Sequence, residues 1–371
     1  MKKLLYIISE IDKAFEFEWV AQHLKDDFDL HFILLNPTSE NPALAHFLSS
    51  LNIPYTIIEY KKKIEIPRII FTLYHHIKKI RPDIVHTHLF KANLLGLTAA
   101  KLAGIKKRIY TRHHSSYNHI YHPNKVWYDH YCNCLATDII AISTIVKDIL
   151  INWEKVLPQK IHLIPHGLPF EIFQNVNKED IALLKEKYNT LDKYPVIGVI
   201  SRFTEWKGIQ FIIPAFEKIL HQYPNAYLIL AGAYGNYDTI NKLLSHLPLS
   251  SFCKITFEKN LPVLYKLFDI FIHTPIDEHS EAFGQVYIEA MASEIPIICT
   301  MSGIAHQLVK NKRNALVVPY KNSNAIYEAI IQLIKDPTLR NTIIAYAKED
   351  VKVFSLENKV KLLKELYSSK S

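Results

Sequence analysis

Short β-rich runs alternate with helical patterns along almost the whole chain, and the alternation stops once and restarts at Pro195-Val-Ile-Gly-Val-Ile200. This pattern builds parallel sheets wrapped in helices, because two parallel strands can be joined only through a crossover. In the first stretch the runs predict strands at 4–8, 31–35, 55–58, 83–86, 108–111, 138–142 and 162–164, with helices at 15–26, 43–51, 66–80, 92–103, 125–136 and 144–153. A connecting helix is read at 177–188. After the restart, strands are read at 196–200, 227–230, 254–257, 270–273, 297–300 and 315–318, with helices that include 209–221, 240–246 and 324–334. A chain of 371 residues, 49% hydrophobic, is too long for one ordinary core. Two α/β domains are expected, over 1–170 and 171–354, with a last amphipathic helix over 355–371.

Ligands of open parallel sheets lie beyond the carboxyl ends of the strands, so the residues just after each strand are where chemistry is sought. No Gly-x-Gly-x-x-Gly follows the first strand, and a dehydrogenase reading loses its main support. Ser201-Arg202-Phe-Thr-Glu-Trp-Lys207-Gly208 follows the strand at 196–200. His86-Thr-His88 and Thr111-Arg-His113-His114 end two successive strands and bring histidines to one crevice. Four histidines suggest zinc, but no Cys or carboxylate completes a ligand spacing, and ordinary polar histidines are the better account. Asp27-Phe-Asp29 precedes a strand rather than following one, and is read as surface charge.

The densest motif is Glu281-Ala-Phe283-Gly284-Gln285-Val-Tyr-Ile-Glu289, a loop entering a helix, followed by Ala290-Met-Ala-Ser-Glu-Ile-Pro296 and the apolar Ile297-Ile-Cys-Thr300. Uncapped N–H groups at the helix start and the positive end of the helix dipole make an anion site. Carboxylates beside it accept hydrogen bonds from hydroxyls, so a ligand carrying both phosphates and hydroxyls fits, and a nucleotide sugar is one. The plain alternative is a surface helix with two solvated glutamates.

These residues resemble the family 4 retaining glycosyltransferases of the GT-B fold (glycosyltransferase group 1), whose signature is two glutamates eight apart around Phe-Gly, then Glu-Ala-Met-Ala and a Pro-led strand. The resemblance implies two Rossmann-like domains facing each other across a cleft, the acceptor on the first domain, the donor on the second, and the last helix crossing back to the first. It implies that Arg202 and Lys207, both expected to be exposed, clamp the donor diphosphate. Glu281 would take the sugar hydroxyls, Glu289 the ribose hydroxyls, and Phe283, Gly284 and Gln285 would line the donor site. A histidine contacting the transferred sugar maps to His113, with His114 its rival. The implied activity moves a hexosyl or N-acetylhexosaminyl group from a nucleoside diphosphate sugar, such as a UDP-sugar, to a hydroxyl of a glycan or lipid-linked acceptor, with retention and with no metal or other cofactor. A sugar-nucleotide epimerase and a catalytically inactive nucleotide-sugar binding protein are the alternatives. The chain departs from the family where two glycines usually follow the first strand and Glu10-Ile-Asp-Lys-Ala-Phe-Glu-Phe17 stands here. It departs again at Pro165-His166-Gly167 and Ser302-Gly303-Ile-Ala-His306, which match the family turn and loop only loosely.

Four cysteines, with Cys132-x-Cys134 fitting neither a redox nor a zinc spacing, predict reduced cytosolic thiols. The start of the chain meets Glu10 and Asp12 too soon for a signal segment and is read as a strand, and no apolar run approaches the roughly 18 to 20 residues of a membrane span. Charge is uneven: from Tyr60 to Arg112, thirteen Lys and Arg face Glu65 and Asp83, a net +11 against +8 for the whole chain. Such a stretch is either a solvated basic face or one drawn to an anionic membrane or phosphorylated acceptor. Together these features give the expectation of a cytoplasmic enzyme of cell-envelope polysaccharide synthesis, peripheral on the inner face of the membrane, with no nucleic-acid partner.

Overall fold

The structure, a computed structural model, describes residues 1–12, 15–38, 40–235 and 237–369, with the side chain of Lys63 excepted. Lys13 and Ala14 of the departing loop, the Lys63 side chain of the basic stretch, and Lys370 and Ser371 of the last helix lie outside the described residues. The chain divides into two compact units, Met1–Gly167 with Leu356–Ser371, and Leu168–Ser355.

Unit 1 carries β1 (Lys2–Ser9), β2 (Phe28–Asn36), β3 (Tyr55–Glu59), β4 (Ile84–His88), β5 (Lys107–Arg112), β6 (Asp138–Ala141) and β7 (Ile161–Leu163). They form one parallel sheet in the order β3-β2-β1-β4-β5-β6-β7. Both faces are covered, which is why the strands read as continuous apolar runs. Leu4, Tyr6 and Ile8 join one core layer, and Leu5 and Ile7 the other. The helix Leu356–Ser368 belongs to the first layer, where Leu356, Val360, Leu363 and Tyr367 are buried. On the other side the helix Ile66–Ile80 buries Ile69, Leu73 and Ile77, one residue per turn.

Unit 2 carries β8 (Val196–Ile200), β9 (Tyr227–Ala231), β10 (Phe252–Ile255), β11 (Ile270–His273), β12 (Ile297–Cys299) and β13 (Leu316–Val317), again parallel, in the order β10-β9-β8-β11-β12-β13. Each sheet reverses its strand order once, between β1 and β4 and between β8 and β11. Crevices at such reversals are where doubly wound sheets hold ligands.

The strand expected over 254–257 is Phe252–Ile255, and two larger local differences stand out. The helix Pro337–Asp350 was not read from sequence, because it buries only Ile343 and Ala347 and shows no apolar stripe; its signals are Asp336, whose carboxylate accepts from Leu339 N at 2.9 Å, and Pro337 in the first turn. The helix expected over 144–153 is Thr144–Asp148 running into a π-turn, Ile149–Trp153, after which Glu154 N donates to Ile149 O at 3.0 Å.

The basic stretch is also partly drawn inside. Lys107 is 3% exposed and donates to Ser369 O at 2.9 Å, Arg108 Nε donates to Leu135 O at 2.8 Å, and Arg112 is 2% exposed. The exposed remainder is concentrated along Ile66–Ile80 and its flanks, where Arg68, Phe71, His75, Lys78 and Lys79 follow one outward stripe.

Candidate active site

The loop after β8 ends in a tight turn, Glu205–Lys207, closed by Gly208 with φ +74°. A Cβ at Gly208 would sit 1.8 Å from the carbonyl oxygen of Thr274, so only glycine lets this loop lie on the one that follows β11. Ile276 N donates to Trp206 O at 3.1 Å across the same contact. This approach brings the Lys207 ammonium onto Oε1 of Glu281, and His273, the last residue of β11, places Nε2 3.0 Å from the same oxygen. Main-chain N of Glu281 donates to Ser302 Oγ at 3.1 Å. Burial would raise the Glu281 carboxyl, but the Lys207 charge and the His273 hydrogen bond hold it down at about 2. Burial lowers the His273 imidazole, against the pull of Glu281. Lys207 thus corrects the expectation of an exposed clamp: its side chain is 15% exposed because the buried carboxylate draws it in. Arg202 is exposed.

Gly284, with φ +81°, opens the helix Gln285–Ala292, and no side chain caps it. The N–H groups of the first turn and the helix dipole are therefore available to an anion. Glu289 lies on the inner face of this helix, 7% exposed; Tyr265 donates its hydroxyl to Oε2 at 2.9 Å and Gln285 shares a side-chain hydrogen bond. Burial pushes this carboxyl up to about 7, against those two bonds. Phe283 is turned inward, edge-on to Phe354 at 6.2 Å, so its backbone is what it can offer a ligand. The two glutamates of the motif are thus set apart in protonation by their surroundings.

In unit 1 the histidines do meet. His88 Nδ1 lies 3.2 Å from His113 Nε2, and the rings of His113 and His166 stack at 5.7 Å. His86 Nε2 reaches Thr111 Oγ1 at 2.9 Å, and its Nδ1 reaches the Tyr367 hydroxyl at 2.7 Å. Burial, with neighbouring histidines, lowers His86 and His113 to about 3, and burial lowers His166 to about 4. His166 Nδ1 is 2.8 Å from Glu16, which also pairs with Lys359 of the last helix. His114 turns elsewhere, to Asp129 at 3.2 Å. Both neighbours of His113 are held by one buried network: Arg112 donates to the His114 carbonyl at 3.1 Å, and its guanidinium pairs with Asp129 at 2.9 Å and Glu154 at 2.6 Å. Among the described residues no group of three or more His, Cys, Asp or Glu is arranged to hold a metal ion.

Sequence reasoning passed over His273, whose only signal is a polar residue ending an apolar strand. It also passed over Glu16, Lys359, Asp129 and Glu154, which lie on separate elements and carry no local spacing.

Two doubly wound units, with a carboxylate, a lysine and an uncapped helix start gathered at one strand-order reversal, define an α/β protein of the GT-B fold. Residues 180–350 match the family described as glycosyl transferases group 1, and residues 20–171 match glycosyltransferase family 4. The chain is 32% identical over 282 residues to the capsular polysaccharide biosynthesis glycosyltransferase CapM of Staphylococcus aureus, covering 71% of this chain and 70% of that protein. It is 24% identical over 362 residues, 92% of this chain and 89% of the other, to the Escherichia coli UDP-Gal:alpha-D-GlcNAc-diphosphoundecaprenol alpha-1,3-galactosyltransferase. Its fold is similar to that of Anabaena HepE in complex with UDP and glucose, with a TM-score of 0.83, 20% identity and the full length of both chains covered. The chain belongs to the group 1, family 4 glycosyltransferases.

Proposed function

We propose that this glycosyltransferase moves a hexosyl or N-acetylhexosaminyl group from a UDP-sugar or related nucleoside diphosphate sugar to a hydroxyl of a glycan or lipid-linked acceptor, with retention. The observation that carries the reading is the convergence of Lys207 and His273 on Glu281 beside the uncapped helix start at Gly284. The UDP held by HepE and the UDP-Gal and diphosphoundecaprenol-linked acceptor in the name of the E. coli relative support the donor and acceptor classes. CapM supports a place in cell-envelope polysaccharide synthesis.

In this reading Arg202 and Lys207 face the diphosphate, and the amides at the start of Gln285–Ala292 take phosphate oxygens. As the bond from the anomeric carbon to phosphate breaks, charge grows on the leaving oxygen and these cations and dipoles stabilise it. The acceptor oxygen bonds to the anomeric carbon and its proton passes to the leaving phosphate on the same face, so no side-chain base is required. Both partners of Glu281 sit on Oε1, which leaves Oε2 for a sugar hydroxyl. Glu289, with its raised carboxyl, takes the ribose hydroxyls, and His113 is the sugar contact from unit 1. No metal is assigned, since Arg202 and Lys207 carry the charge a divalent ion would carry.

A membrane location is supported by the outward stripe of Ile66–Ile80 and the turn before it, where Ile64 and Phe71 are 86% and 64% exposed among the basic residues. No described helix is long and apolar enough to cross a membrane.

Thermal-shift and UDP-release assays over a panel of nucleotide sugars, with and without EDTA, test the reading. Stabilisation and acceptor-dependent turnover unaffected by EDTA are expected. An epimer formed from donor alone, no turnover of any donor, or EDTA loss reversed by a divalent ion would overturn it.

A further inference from the structure

The His273 ring sits in a manner that costs the fold something. It is 1% exposed at the end of Ile270-Phe-Ile, edge-on to Tyr287 with ring centres 4.9 Å apart. Its Nδ1 is buried and finds no hydrogen-bond partner among the described residues. Buried polar atoms are nearly always paired, and an unpaired one is destabilising. Leucine or phenylalanine would continue the apolar strand without that cost, so what the ring contributes must lie on its other edge.

That edge is Nε2, 3.0 Å from Glu281 Oε1. A carboxylate only accepts, so the proton of this hydrogen bond is on Nε2 and the tautomer is set. Lys207 donates to the same oxygen. Two donors on Oε1 fix the rotation of the carboxylate and leave the lone pairs of Oε2 for a ligand. The two donors differ in kind: Lys207 ends a flexible stem and is also the group assigned to the diphosphate, whereas the imidazole is rigid. Tyr287, against which it leans, is itself tied by its hydroxyl to Thr300 O at 3.1 Å.

We propose that His273 is a positioning residue for glycosyl transfer, its Nε2–H holding Oε1 of Glu281 so that Oε2 meets the sugar hydroxyl while Lys207 serves the diphosphate. The proposal rests on the assignment of Glu281 to the sugar. Aligning a group that acts in the transition state shows in kcat more than in KM.

The test compares His273→Gln, whose amide nitrogen reaches about where Nε2 lies, with His273→Leu, in the wild-type and Glu281→Ala backgrounds. UDP release is followed with UDP-glucose, UDP-galactose and UDP-N-acetylglucosamine. His273→Leu should lower kcat roughly ten- to a hundredfold with the donor KM changed less than about threefold, and His273→Gln should recover about tenfold over Leu. In the Glu281→Ala background His, Gln and Leu should be equivalent. Turnover is expressed per folded molecule, counted from the urea transition of each variant, so that a difference in stability between the Gln and Leu proteins does not enter the ratio. Equal kcat for Gln and Leu, or an undiminished Leu effect in the Glu281→Ala background, overturns the positioning role while leaving the Glu281 assignment standing. Wild-type turnover by Glu281→Ala, or no UDP release from any donor by the wild-type protein, overturns that assignment and the proposal with it.

Discussion

The two units put polar groups at equivalent reversals of strand order and treat them in opposite ways. Beyond β8 and β11 the groups are charged and paired across loops, with Lys207 and His273 keeping Glu281 ionised. Beyond β4 and β5 the imidazoles are held neutral by burial and bonded to one another, to Thr111 and to Tyr367, while the charges of that unit, Arg112 with Asp129 and Glu154 and Lys359 with Glu16, are paired among themselves. Charge suits a diphosphate and neutral hydrogen-bonding groups suit hydroxyls, so the contrast fits the roles proposed for Lys207 and His113. The contrast also makes the two units differ in what should destabilise them.

Acid should separate them most. For His86, His113 and His166 the folded values, about 3, 3 and 4, lie below the ordinary 6.5. The unfolded chain therefore takes up protons first, and the stability these groups contribute is full above 6.5 and lost as pH falls toward 4 and below. One unit of difference is about 1.4 kcal/mol, so even part of this effect is a large share of a typical 5 to 15 kcal/mol. Glu281, lowered to about 2, has the same sign in a lower window, between 4.5 and 2. Glu289, raised to about 7, has the opposite sign: its contribution is present below 4.5 and lost as pH rises through 7. His273, lowered by burial, acts with the same sign in unit 2, but it is one imidazole against three, so hydrogen exchange corrected for intrinsic rates should show unit 1 peptides losing protection first between pH 6.5 and 5. Unit 2 opening first would break the comparison.

Removing a cation should sharpen it. Arg112→Met takes the shared guanidinium from Asp129 and Glu154, which keep only partners such as His114 and Asn133, and about 3 to 5 kcal/mol of stability should go, read as a lowered urea midpoint. Lys207→Met should cost less, because it takes the cation from one buried carboxylate rather than from two. In turnover the ranking inverts: charge-assisted contacts to a diphosphate are worth roughly 1.5 to 3 kcal/mol, so Lys207→Ala and Arg202→Ala should each lose about ten- to a hundredfold. His113→Ala removes a neutral hydrogen bond of about 0.5 to 1.5 kcal/mol and should lose about tenfold or less. A His113 loss equal to that of Lys207 would mean that unit 1 is not the neutral partner described here.

How far each site could be read in advance follows from how it is built. Glu281, Gly284 and Glu289 lie within nine consecutive residues, and one helix start organises them, so the motif, its helix and its strand were all legible. The pairing of Lys207 with Glu281 was not, because it depends on a glycine closing against a carbonyl 66 residues away in sequence. The unit 1 site is drawn from the helix Phe15–Leu24, β4, β5, the turn after β7 and the last helix; only the two histidine pairs at strand ends could be seen, and Glu16, His166 and Lys359 could not be connected to them. The central strands were legible because burial on both faces makes them continuous apolar runs, as in β1, β8 and β9. The helix Pro337–Asp350 was missed because it buries so little.

The last contrast concerns the surface of unit 1. Counting charges gave +11 between Tyr60 and Arg112, but Lys107 and Arg112 are internal, and Lys91 is paired with Glu10 at 2.7 Å. Arg68 is paired in turn with Glu65 at 2.8 Å, so what the stripe can offer an anionic bilayer is Lys78, Lys79 and Arg81 with the exposed Phe71, at about 1 kcal/mol per cation held near the surface. Binding should therefore be reversible and screened by salt, since the Debye length shrinks to about 3 Å at 1 M. The protein should co-sediment with anionic but not neutral liposomes at low salt and be released at high salt. Lys78→Glu with Lys79→Glu should weaken the pelleting by one to two orders of magnitude, since two charges are reversed. Lys101→Glu, off the stripe of Ile66–Ile80, should weaken it less. Equal pelleting on neutral liposomes, none on either, or an equal effect of Lys101→Glu would remove the helix as a docking face and leave its charge to water.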